Sequence, residues 1–149
     1  MRGILRGLAL GVFLFASLVA ASANAKEHKI SIQVDQNDPE VMNLVLNNAT
    51  NILEYYQGKG EDVQIEVVAY GPGLHMLRAD TSPVKDRIKR LVDGSFPSRI
   101  KFSACDNTKR GMEKREGHAV EIIPQASIVP AGVVRLMELQ EEGWSYIRP

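Results

Sequence analysis

The sequence predicts an α/β fold with a mainly parallel sheet, and three observations predict it. Short apolar runs of period two alternate with stripes of helical period. Glycine- and proline-rich turns separate them, and no repeat or low-complexity linker divides the chain of 149 residues.

The elements follow in order. Arg2 and Arg6 precede an apolar run from Leu8 to Ala21 that ends in Ala23-Asn24-Ala25, the pattern of a signal peptide over residues 1–25 with cleavage before Lys26. Residues 26–149 then form one domain. From Lys29, the alternation of Ile30, Ile32 and Val34 with Ser31 and Gln33 predicts a first strand. Asp38-Pro39 opens a helix, because Asp38 can cap the first free N–H groups and proline suits the first helical position. Its stripe is Met42, Val45, Leu46, Ala49, Ile52, Leu53 and Tyr56, and it stops at Gly58.

Val63, Ile65, Val67 and Ala69 predict a second strand, closed by Tyr70-Gly71-Pro72-Gly73 and a short helical stretch through Leu74 and Leu77. Ser82-Pro83 provides a cap and a first-turn proline for a helix carrying Val84, Ile88, Leu91 and Val92. Ile100, Phe102 and Ala104 make a third strand. A polar, helix-permissive segment runs from Asn107 to Glu116, followed by short apolar runs split by Pro124. Val133, Leu136, Met137 and Gln140 line a last helix closed by Gly143, and Trp144 to Ile147 form an edge strand. The first three strands alternate apolar with polar residues, whereas strands buried on both faces are nearly continuous in apolar ones. This predicts thin cover, or a subunit contact, on one face.

Charge narrows the partners. Cleavage removes two of the 18 basic residues and none of the 18 acidic ones, leaving a net charge of −2, which argues against nucleic acid. No later segment is long and apolar enough to span a membrane. A solitary cysteine cannot staple an exported fold, so Cys105 is either a buried small hydrophobe or a functional thiol. With His28, His75 and His118 far apart in the sequence, a zinc site is not expected. Met76 stands where a dinucleotide fingerprint needs glycine, and no cofactor is called for.

Cys105 follows the third strand and precedes Asp106-Asn107-Thr108, any of which could cap the next helix. Its sulfur is therefore expected near free N–H groups and a positive dipole end, which favour thiolate. Asp106 opposes that shift, so its sign is open. Other loops at the same end of the sheet supply Asn37, Gly71, Gly73, His75, Pro130 and Gly132, which with Asn107 and Thr108 are the expected walls of a pocket.

Ala104-Cys105-Asp106-Asn107-Thr108, the Pro130-Ala131-Gly132-Val133 turn and the ending Leu139 to Pro149 together resemble the DsrE/DsrF-like family, over roughly Lys29 to Pro149. The resemblance implies a flavodoxin-like three-layer fold with about five strands and assembly into oligomers, here most simply a homo-oligomer. In the sulfur-relay branch, a cysteine at the position of Cys105 carries sulfur as a persulfide, and the partners are donor and acceptor thiols or proteins. The expectation is thus a periplasmic or secreted sulfur carrier, sulfurtransferase-like in its chemistry. The alternative is a non-catalytic module that binds a small ligand or a partner and in which Cys105 is structural.

Overall fold

The computed structural model describes residues 27–96 and 99–149. The expected signal peptide lies outside the described residues. The elements are β1 (His28–Val34), α1 (Pro39–Gln57), β2 (Val63–Ala69), a 3-10 segment (Gly71–Leu77), α2 (Lys85–Gly94), β3 (Arg99–Cys105), α3 (Asp106–Glu116), β4 (Ala126–Val129), α4 (Gly132–Glu141) and β5 (Ser145–Ile147). All five strands are parallel, in the order β4-β3-β2-β1-β5. This is a three-layer, flavodoxin-like α/β fold. Among the described residues no helix is long and apolar enough to cross a membrane.

The strand order decides which helix covers which face. The chain steps outward from β1 through β2 and β3 to β4, so right-handed crossovers put α1, α2 and α3 on one face. It then returns to β5 beside β1, and that reversed step puts α4 alone on the other. The two apolar clusters follow this division. The larger joins Ile32, Val67 and Phe102 of the strands to Leu46 of α1, Ile88 of α2 and Met112 of α3. The smaller joins Val68 to Leu136, Leu139 and Trp144.

Thin cover on one face, expected from the alternation, is therefore what the fold has. The polar members of the first three strands, among them Ser31, Gln33, Glu66 and Ser103, turn toward the side that α4 only partly roofs. Local chemistry sets the helix ends. The Asp38 carboxylate accepts from the Glu40 N–H at 2.8 Å with Pro39 at the first position of α1, as expected. At α2 the expectation is two residues early. The Ser82 hydroxyl donates to Met76 O at 2.5 Å and accepts from the Val84 N–H at 3.3 Å, so it anchors the 3-10 segment and the helix begins only at Lys85.

Candidate functional site

β3 runs into α3 without a loop, and Cys105 is both the last residue of the strand and the N-cap of the helix. The sequence placed the cap among Asp106, Asn107 and Thr108; the thiol one residue earlier takes that place instead. Cys105 is the last residue in extended conformation, so its sulfur faces the free N–H groups of the first turn and accepts from Thr108 at 3.5 Å. Asp106 lies within that turn and pairs with Arg110 at 2.5 Å.

A second helix starts close by. Cys105 is paired with Val129 at the end of β4 and Pro130 O accepts from the Asn107 N–H, so α4, which starts at Gly132 without a side-chain cap, begins beside the sulfur. Glycine is needed at this turn, because a Cβ on Gly132 would stand 2.8 Å from Cβ of Tyr70. The Thr108 hydroxyl accepts from the Gly71 N–H at 2.9 Å and so ties the turn after β2 to the first turn of α3.

Burial pushes the Cys105 thiol up. The Thr108 hydroxyl and the N–H groups of Gly132, Thr108 and Asn107 pull it down and prevail, so its pKa lies below the ordinary thiol value. Lys109 and Arg110 take no part, since they pair with Glu113 and Asp106. The sulfur is also well covered, with Cys105 only 4% exposed.

The pocket-wall residues divide between two clefts. Asn37, Gly71, His75, Asn107 and Thr108 line one of about 450 Å³, together with Pro72, Gly111, Met112 and Arg115. Gly73 lies behind it, where a Cβ would meet Val34 O at 2.3 Å, and so holds the turn against the end of β1. Pro130 lines the other cleft, and its carbonyl accepts from the Asn107 N–H at 3.3 Å. Cys105 sits between the two and lines neither. His75 does not pair with the thiol; its Nδ1 lies 2.9 Å from the Thr81 hydroxyl.

Sequence reasoning missed Gly111, Met112 and Arg115. Their spacing from Thr108 on one helical face is the signal that would have found them. It also missed a buried ion pair on the α4 side. Glu66, 2% exposed in the middle of β2, accepts from Arg135 of α4 through two bonds of 2.8 Å and from the Ser103 hydroxyl at 2.7 Å. Burial pushes the Glu66 carboxyl up, but Arg135 and Ser103 hold it below the usual carboxylate range. The pair walls the second cleft, about 390 Å³, with Lys101, Ser127, Val129 and Val134. Among the described residues no group of His, Cys, Asp or Glu is placed to hold a metal ion.

No family model matches the chain, and no curated protein matches it. Among solved structures it is similar to MTH1491 of Methanobacterium thermoautotrophicum, a protein of unknown function, with a TM-score of 0.69 and 30% identity. The match covers 82% of this chain and 99% of the archaeal one. With that identity over nearly the whole archaeal protein, the chain belongs to the same family as MTH1491.

Proposed function

We propose that the chain is an exported sulfur-handling protein that carries sulfane sulfur as a persulfide on Cys105, receiving it from one thiol and passing it to another. The observation that supports this most is the place of Cys105 as N-cap of α3, its sulfur accepting from the Thr108 N–H with the uncapped start of α4 beside it. A persulfide is a stronger acid than a thiol and is anionic at neutral pH. The Thr108 hydroxyl and the N–H groups of Gly132, Thr108 and Asn107 favour negative charge at that place without a paired cation. The half-roofed sheet face also suits assembly with further copies, in line with the homo-oligomer that the family resemblance implies.

A second reading rests on the 4% exposure of Cys105. A thiol this covered also suits a binding module in which the sulfur is a helix cap and a packing group. One experiment separates the two. Intact-mass analysis after incubation with persulfide and polysulfide donors is expected to show one added sulfur, removable by dithiothreitol and absent from Cys105→Ser. Loading by none of the donors, with a thiol that resists alkylation until the chain unfolds, overturns the carrier and leaves the module.

A further inference from the structure

The cleft of about 450 Å³ beside α3 has a one-sided charge. Its lining contains one guanidinium, Arg115, and one imidazole, His75, with the amides of Asn37 and Asn107, and it contains no carboxylate. The other charged groups of α3 nearest to it are already engaged. Asp106 pairs with Arg110, Lys109 with Glu113, and Glu116 with the buried Arg78. Both oxygens of Glu116 accept from Arg78. Arg115 makes no ion pair among the described residues. Its side chain folds back along the helix, with Nη1 3.7 Å from where a Cβ of Gly111 would be.

We propose that this cleft binds a small oxyanion, and that the ligand is a sulfane-sulfur donor bearing a sulfonate or carboxylate group, of which thiosulfate is the smallest. The second clause rests on the carrier function proposed for Cys105; the first does not. Arg115 offers a planar fork of donors matched to an oxyanion, and the Asn37 and Asn107 amides add neutral ones. Thr108 connects the two places. It lines the cleft and its N–H donates to the Cys105 sulfur, which itself lines neither cleft, so the reaction requires the turn at Thr108 to yield and open the sulfur to the ligand. In the reaction this serves, the Cys105 thiolate attacks the outer sulfur of thiosulfate. A sulfur–sulfur bond forms on Cys105, the donor's own sulfur–sulfur bond breaks, and sulfite leaves with the electron pair.

The test uses sulfite as probe and the mature chain carrying Cys105→Ser, which has no thiol left to react with it. Calorimetric titration is expected to show saturable binding, weakened about tenfold or more when Arg115→Gln is added, the loss of one charged hydrogen-bond partner. Lys114→Gln, an exposed neighbour outside the cleft, is expected to leave it unchanged. Arg115 is itself exposed, and a thermal melt confirms that its variant is folded. Absence of saturable binding, or equal binding with and without Arg115, overturns the cleft. Failure of the carrier function looks different: sulfite still binds, while wild type incubated with thiosulfate gains no sulfur. That result removes the donor assignment and leaves an oxyanion site.

Discussion

On the side of α1, α2 and α3 the three inner strands present Ile32, Val67 and Phe102, all closed to solvent. On the side of α4 the same strands present Gln33, Glu66 and Ser103, and the closing of that face depends on hydrogen bonds more than on apolar contact. One face is held by area removed from water, which is additive and tolerant of salt and pH. The other is held by a charge pair whose worth depends on both partners staying in place. The contrast teaches where the fold can vary. Stability resides on the first face, and the second, with fewer helices to satisfy, has room for clefts and for the helix end that meets Cys105.

The largest expected effect tests the dry face. Phe102→Ala removes the largest fully buried side chain of the core and should cost about 3–5 kcal/mol in denaturant unfolding, through lost transfer energy and the cavity left behind. A cost below that of a surface substitution would show that the layer of α1 to α3 is loosely packed, and the comparison of faces would fail.

Breaking the polar face should cost less but leave a distinct signature. Arg135→Ala strands Glu66 with only Ser103 for a partner, at about 2–3 kcal/mol, less than a fully buried pair would lose because Arg135 is partly exposed. The pH dependence carries the diagnosis. In wild type the Glu66 pKa is depressed, so its contribution is present above the ordinary carboxylate pKa and is lost as pH falls through the folded value. In the variant burial is largely unopposed, the carboxyl takes up its proton at higher pH, and stability should recover on mild acidification. Replacing both partners, Glu66→Gln with Arg135→Met, should restore most of the loss at neutral pH. An acid-insensitive Arg135→Ala would show that Glu66 reaches water and that the pair is not what closes this face.

Particular residues show how much of this was legible beforehand. The alternation in β1, β2 and β3 carried both the strands and the thin cover of one face, because a period of two states directly which side each residue takes. Asp38-Pro39 located the start of α1 because that cap is local. Ser82 misled because its hydroxyl donates back to Met76 O, six residues earlier, which no cap rule foresees. At the site, Gly71, Thr108 and Asn107 were brought together by a general property of parallel sheets, whose carboxyl-end loops converge. The pairing of Glu66 with Arg135 spans 69 residues and depends on the return of α4 across the sheet, so nothing nearby in the sequence announces it. Cys105 as its own helix cap was hidden for a subtler reason. Three better capping residues follow it, and only the missing loop between β3 and α3 displaces them.

The smallest expected effect bears on the point where the two faces meet. The folded-state pKa of Cys105 is depressed, so relative to Cys105→Ser the wild type should gain stability as pH rises through the window between that value and the ordinary thiol pKa of about 8.5, and hold a constant advantage above it. Thr108→Val removes the acceptor of the Gly71 N–H and, with it, the hydroxyl that favours the thiolate. It should cost about 1 kcal/mol and narrow that window from its lower edge. Unfolding free energies across pH for the three proteins read both quantities. If the wild-type advantage instead shrinks with rising pH, burial outweighs the backbone donors and Cys105 belongs with the packing of the dry face; if it grows, the convergence of α3 and α4 is a place built to hold negative charge on sulfur.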